Sequence, residues 1–406
     1  MVSSVVISAW LPPRWISNVF WIPVLAICSC SPAGPSGEIP DGNGLGASPP
    51  APVTEAPPAN REIPDFFERP IVADLHNDRS FFLTARQIPW RECRGVQLCD
   101  ANYRRSSYFF SIWRPPLPIG AGPPWRLSKQ RARQLNRLSH FQYLLKAIAD
   151  LKATGITITD DPGAIGAPAR SMFLGIEGAF LVNDGHGSHP TPARLDDMLA
   201  TLKRERVSYV GLVWSNNNVY AGTSRQPGKG LTTRGRELVR LLSKHGLLAD
   251  LSHGSDRTVR DFHALTRGRY PLFFSHSSAR AVCNHPRNVS DSILRLVRET
   301  GGIVGINFYS RYINCSSKAS IHDVADHIMH IYRTAGPEHV ALGSDFDGLI
   351  SLPNGLKKPQ NLRDLAVILR KRNLSQSEIE KIFFRNVQNF LYAWQESKKV
   401  DAEFPE

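Results

Sequence analysis

From residue 71 onward, eight short apolar or β-branched runs alternate with amphipathic stretches of helical period, and no other feature restricts this chain as much. The runs occupy 71–75, 108–113, 172–176, 209–213, 248–251, 272–275, 303–308 and 340–343. Helical patterns lie between them at 130–151, 192–206, 234–244, 256–267, 290–300 and 320–335. Strands joined through crossover helices run parallel, and eight such units predict a closed (β/α)8 TIM barrel rather than an open doubly wound sheet. No GxGxxG follows the first run, which argues against a dinucleotide-binding half. Segment 103–125, which contains the second run, is Pro-rich and aromatic and reads as a long loop near the barrel mouth. Residues 363–394 read as C-terminal helices.

A chain of 406 residues exceeds what one barrel needs, and much of the excess is N-terminal. Residues 16–30, ISNVFWIPVLAICSC, form an apolar run after Arg14 that is too short to span a bilayer and fits the core of a secretory signal. It ends in Cys28 and Cys30, a lipoprotein-like ending in which Cys30 is the candidate lipidation site; simple cleavage of the signal is the alternative. Residues 31–60 are Pro, Gly, Ala and Ser with almost no large apolar side chain, so they cannot offset their own ordering entropy and read as a flexible tether. The expected organisation is a signal at 1–30, a linker at 31–60, a catalytic barrel at 61–398 and a tail at 399–406. The expected location is outside the cytoplasm, as a periplasmic or surface lipoprotein of a bacterium. The charged C-terminal segment QESKKVDAEFPE offers no hydrophobic tail for a GPI anchor.

The net charge of +13 raises nucleic-acid binding as a function class. The cations are scattered, however, and the short runs at 129–137 and 370–372 are not interleaved with aromatics, so nucleic acid is not an expected partner. Attraction to an anionic membrane or wall polymer fits the balance better.

Catalytic groups of an α/β barrel gather where the strands end. Here the first run ends in Asp74-Leu75-His76-Asn77-Asp78, the third in Glu177-Gly178, the fifth in Ser252-His253, the sixth in His276-Ser277-Ser278 and the eighth in Ser344-Asp345-Phe346-Asp347. One such ending is ordinary; five together predict a metal centre. Imidazole and carboxylate donors without cysteine suit zinc, and a carboxylate such as Glu177 is able to bridge two ions about 3.5–4 Å apart.

The stretches DLHND (74–78), LGIEGAF (174–180), LADLSH (248–253), FFSHSSARAVCNHPRNVSD (273–291), VGINFYSRYINC (304–315) and HVALGSDFDG (339–348) closely resemble the membrane (renal) dipeptidases, barrel metallohydrolases of the amidohydrolase type. The resemblance runs in order from about residue 71 to 392. It implies a zinc-dependent dipeptidase that hydrolyses dipeptides with a free C-terminal carboxylate through a hydroxide held between two zinc ions. His76, Asp78 and Glu177 would hold one zinc, and Glu177, His253 and His276 the other. Asp345 would carry the proton to the leaving amine, and Arg287 would clamp the substrate carboxylate with help from Tyr312. Cys283 and Cys315 match a pair that is disulfide-bonded in the family. Cys93 and Cys99 have no family counterpart and are read as closing a small loop together.

The sequence departs from the family at Trp214, where mammalian members carry a histidine that polarises the substrate carbonyl. An indole donates one N–H but never becomes a cation. Trp214 is therefore either a substrate contact or plain barrel packing. It favours the alternative of a specialised amidohydrolase that tailors a secreted metabolite. A non-catalytic, surface-anchored binding protein is a further alternative, although no ligand position is lost. The expected partners are a dipeptide or similar small amide, a membrane reached through the N-terminal lipid, and a second copy of the chain. His186 and His189 sit in a Gly-rich loop. His322, His327 and His330 fall on a helix away from any strand end and are expected at the surface. Asp347 is expected to orient the loop of Asp345.

Overall fold

Continuous apolar runs, rather than alternating ones, mark strands that need cover on both faces. The computed structural model describes residues 63–99, 106–114, 119, 126–167, 171–183 and 189–400. Its strands are β1 (Ala73–Asn77), β2 (Ser107–Ile112), β3 (Thr157–Ile158), β4 (Ser171–Ile176), β5 (Val207–Gly211), β6 (Leu248–Asp250), β7 (Phe273–Ser277), β8 (Ile303–Ile306) and β9 (Val340–Leu342). All pair in parallel in the order β2-β1-β9-β8-β7-β6-β5-β4, and β2 pairs again with β4, from Tyr108↔Met172 to Ile112↔Ile176. Eight strands therefore close into the (β/α)8 barrel expected from the alternation of runs and helices. The two-residue β3 lies outside the ring, paired only with the start of β4. The candidate signal with Cys30, the tether at 31–60 and His186 lie outside the described residues. Among the described residues, no helix is long and apolar enough to cross a membrane.

The helical pattern at 130–151 is two helices, Lys129–Asn136 and His140–Lys152. The break falls at Ser139, whose hydroxyl accepts from Gln142 N–H while the Gln142 side chain accepts from Ser139 N–H. This capping box starts a new helix where the apolar period alone suggested continuity. Within segment 103–125, residues 107–112 belong to the barrel as β2, so only the remainder was open to being loop. The C-terminal helices are Leu362–Lys371, Gln376–Glu380 and Asn386–Val400, the last two joined by a π-helical turn at Lys381–Arg385. Phe390 stacks on Phe273, the first residue of β7, at 5.6 Å. The last helix thus covers the strand starts and leaves the strand ends open.

Inside the ring, aromatic rings fill the barrel: Phe109 stacks on Phe173 at 4.6 Å and Tyr209 leans on Phe273 at 5.2 Å. Gly175 makes room for Tyr209, since a Cβ there would lie 2.0 Å from its ring. Both cysteine pairs are bonded, Cys93 to Cys99 and Cys283 to Cys315, with Cα separations of 5.2 and 5.3 Å.

Candidate active site

β1 and β7 run further than their apolar runs, so His76 and His276 are strand residues whose backbones are held by the barrel itself. Asp78, Glu177, His253 and Asp345 follow the ends of β1, β4, β6 and β9 within three residues. All six side chains meet at one rim. Glu177 Oε1 lies 2.9 Å from His253 Nε2, 3.4 Å from His276 Nε2 and 3.9 Å from His76 Nε2. His76 Nε2 is 4.0 Å from Asp78 Oδ1, and His253 Nε2 is 3.0 Å from His276 Nε2. The donor atoms of His76, Glu177 and His276 all lie within 4.8 Å of one another, as do those of His76, Asp78 and Asp345.

The supporting residues orient the imidazoles. His76 Nδ1 meets the Tyr209 hydroxyl at 3.1 Å, and that hydroxyl donates to Leu75 O. With its proton spent on Leu75, the phenol oxygen is left to accept, so Nδ1 carries the hydrogen and Nε2 keeps its lone pair. His276 Nδ1 sits 2.8 Å from Ser275 Oγ, which itself donates to Asp250 Oδ2 at 2.6 Å. The same logic strips His276 Nε2 of a proton. A carboxylate–serine–imidazole relay of this kind sets tautomers and raises donor strength at metal sites. The sequence analysis missed Tyr209, Ser275 and Asp250 as site residues, although the last two sit within the motifs LADLSH and FFSHSS.

Burial, and after it the charges of Glu177 and Asp345, push the Asp78 carboxyl well above the usual range. Burial, and then Asp345, do the same to Glu177. The three imidazoles are held well below their ordinary value by burial first; Arg287 follows for His76 and His253, and His76 for His276. Such a cluster is costly without a cation, because bare lone pairs and carboxylate oxygens face one another out of water. Among the described residues, His76 Nε2 and Asp78 Oδ1 are buried without a hydrogen-bond partner. Nitrogen and carboxylate donors aimed at shared points, with no thiolate among them, fit zinc.

Asp345 follows β9, the strand next to β1, and stands beside Asp78 and His76. Asn307 Nδ2 donates to its Oδ2 at 2.9 Å. Asp345 and Asp347 both hold left-handed backbone, at φ 61° and 63°, and His253 does so at 68°. Such conformations in non-glycine residues cost energy and cluster where side chains must be aimed. Asp347 accepts from Gln97 N–H at 2.7 Å and Leu98 N–H at 3.2 Å, which ties its loop to the Cys93–Cys99 segment.

Arg287 is buried beside the cluster, its guanidinium donating to Ser277 Oγ at 2.7 Å and His276 O at 2.8 Å. Tyr312 faces it, with the guanidinium carbon 5.9 Å from the ring centre. The Cys283–Cys315 disulfide joins the two segments that carry these side chains. His327 joins them a second time and corrects its expected surface position. It is fully buried, its Nδ1 accepting from Ala279 N–H at 2.9 Å and its Nε2 facing Ile313 O at 2.8 Å. Its neighbours on that helix do reach water: His322 is exposed, and His330 is half-buried against Asp291 at 2.8 Å.

Burial lowers the His327 pKa to about 4, against the pull of its bond to Ile313 O. A histidine depressed in the folded state stabilises fully above its unfolded pKa, about 6.5, and loses that contribution as pH falls toward the folded value. Urea unfolding of wild type and His327→Gln between pH 7.5 and 4 should therefore show their stability difference shrinking by roughly 3 kcal/mol below pH 6.5. Parallel curves would refute the neutral bridge.

These groups open into a cavity of about 870 Å³, including its mouth, whose apolar lining is Phe81, Trp113, Trp214, Leu349 and Ile350. Trp214 is half-buried against Trp113, with ring centres 5.1 Å apart. It lies in the cavity wall as well as in packing. His189 is exposed and outside the cavity lining. Asn307, Tyr309 and Arg225 line the cavity and were not singled out from the sequence.

A family model described as membrane dipeptidase, peptidase family M19, matches residues 64–404. An uncharacterised dipeptidase of Schizosaccharomyces pombe is 40% identical over 222 residues, 53% of this chain and 51% of the relative. A dipeptidase of Aspergillus oryzae is 34% identical over 264 residues, 64% of this chain and 58% of the relative. The chain thus spans little more than half the length of the curated relatives it matches. The crystal structure of a metallopeptidase from Rhodobacter sphaeroides, liganded with a phosphinate mimic of the dipeptide L-Ala-D-Ala, shares the fold. Its TM-score is 0.66 at 24% identity, covering 79% of this chain and 98% of that one.

Proposed function

The chain belongs to the membrane dipeptidase family, peptidase family M19, and from that premise we propose that it is a zinc-dependent dipeptidase for substrates with a free C-terminal carboxylate. The observation that carries this reading is the convergence of five candidate metal donors and the Asp345 carboxylate at one rim, with a buried guanidinium lining the cavity above it. His76, Asp78 and Glu177 would hold one zinc, and Glu177, His253 and His276 a second. When bound, the pair supplies Lewis acidity that polarises a carbonyl and acidifies water.

The chain's own groups do the rest. Arg287 presents a planar cation held rigid by Ser277 and His276, suited to grip a carboxylate through parallel hydrogen bonds. A carboxylate fixed there, beside His276, brings the bond one residue before it toward the donor cluster. Tyr312 flanks the same carboxylate. Asp345, held by Asn307, takes a proton from the attacking water and returns it to the departing amine. Trp113 and Trp214 exclude water from the acyl side of the substrate. In this reading residues 61–398 form the catalytic body, and 1–60 export and tether it, with Cys30 as the lipid attachment point.

The experiment pairs free and C-terminally amidated dipeptides. Zinc-loaded wild type should cleave the free form at least about 100-fold better by kcat/KM, and Arg287→Met should remove most of that advantage through KM. Equal cleavage of both forms by wild type would overturn the clamp. A chelator that leaves activity intact would overturn the metal dependence.

A further inference from the structure

The cavity holds a second guanidinium that the proposed reaction does not use. Arg225 lies in the connection after β5, on a firmly built support. Residues 220–224 are all buried, and Arg225 is the first exposed residue after them. Thr223 Oγ1 donates to His253 O at 2.9 Å, Ser224 N–H donates to His253 O at 2.8 Å, and Thr223 forms an antiparallel bridge with Gly254. On the other side, Gln226 N–H donates to Thr223 O, and its side-chain oxygen accepts from Asn217 N–H at 3.1 Å. The backbone of Arg225 is thus pinned over the His253 turn from both sides.

Among the described residues, no carboxylate lies within ion-pair distance of the Arg225 guanidinium, and it makes no hydrogen bond. The carboxylates that line the cavity are Asp78, Glu177, Asp345 and Asp347, and each already serves the donor cluster, proton transfer or the Gln97–Leu98 tie. Arg225 nonetheless lines the cavity. Its turn is bonded to His253, which follows β6, and Arg287 follows the neighbouring strand β7. His285 accepts from Arg287 N–H at 3.1 Å and packs on Tyr312 at 4.6 Å. Two guanidiniums therefore line the cavity on the side of β6 and β7, with Trp214 beside the Arg225 turn, its backbone oxygen accepting from Thr223 Oγ1 at 2.8 Å.

We propose that Arg225 is a specificity residue that binds a side-chain carboxylate on the C-terminal residue of the substrate, so that dipeptides ending in Asp or Glu are preferred. This rests on the dipeptidase reading, with Arg287 holding the α-carboxylate. Arg287, which holds the α-carboxylate, follows the strand next to the one that ends at His253, under the Arg225 turn, and this places the acidic preference on the C-terminal residue.

The test compares acidic residues with their amide isosteres in the zinc-loaded, full-length chain. kcat/KM is measured for Ala-Glu against Ala-Gln, Ala-Asp against Ala-Asn, and, as the opposite arm, Asp-Ala against Asn-Ala. Wild type should favour Ala-Glu or Ala-Asp over the matching amide by at least about tenfold, mostly through KM, and the ratio should shrink as salt is raised. Arg225→Gln should bring the ratio close to one, Arg225→Lys should keep part of it, and Arg225→Glu should turn the preference toward Ala-Lys. A wild-type ratio near one, a ratio that survives Arg225→Gln, or an acidic preference at the N-terminal position would each overturn the assignment while leaving the dipeptidase reading intact. If no dipeptide in the panel is cut, both fall together.

Discussion

Glu177→Gln is expected to lower kcat/KM by at least about 10⁴ and to leave no more than one equivalent of zinc on the protein. Glu177 Oε1 sits within 3.9 Å of three imidazole nitrogens that belong to both proposed ion positions. An amide keeps the shape but carries no charge and only one oxygen donor, so one carboxylate lost here removes support from both ions. A factor of 10⁴ corresponds to about 5.5 kcal/mol of barrier, a scale consistent with loss of a bridging metal ligand. The metal-free variant should be at least as stable as metal-free wild type, because burial already disfavours the ionised carboxylate at this position. Zinc content by elemental analysis, kcat/KM, and thermal unfolding with and without metal together check the prediction. Full activity with two bound equivalents would show that Glu177 bridges nothing.

Asp345→Asn should produce the second largest effect, with a different signature. We expect kcat to fall about 10²–10⁴-fold while KM and zinc content stay near wild type, since the residue is assigned to proton transfer rather than to holding metal or substrate. Asparagine is the informative replacement. Asp345 has φ 61°, and asparagine tolerates left-handed backbone nearly as well as aspartate, so the loop keeps its shape. The side-chain oxygen facing Asn307 Nδ2 is also retained. Alanine would mix lost chemistry with released strain. The remaining activity should lose the limb of its pH profile that reports the Asp345 carboxyl, which burial raises above the ordinary carboxylate value. An unchanged kcat would mean that the proton travels by another group.

Much of this site was legible as residue type at a strand end. His76, Asp78, Glu177, His253, His276 and Asp345 each follow a run whose apolar character announces a buried strand, and a parallel barrel brings such endings to one face. What remained hidden was whatever depends on contacts across the ring. Tyr209 looks like one more barrel aromatic until Gly175, on the adjacent strand, lets its hydroxyl reach His76. Asn307 gains meaning only against Asp345, thirty-eight residues away. His327 was expected at the surface for lying on a helix away from any strand end, and its bonds to the Ala279 and Ile313 backbones place it in the interior instead.

By itself, then, the sequence determined the alternation of strands and helices and which strand ends carry candidate metal donors, because period and apolar content are properties of neighbours along the chain. Tertiary structure decided the closing pair β2–β4, the tautomers of His76 and His276, the left-handed turns that aim His253 and Asp345, and the lodging of Arg225 over His253. Each of these is a hydrogen bond or close contact between groups on different elements, and such contacts exist only once the ring has closed.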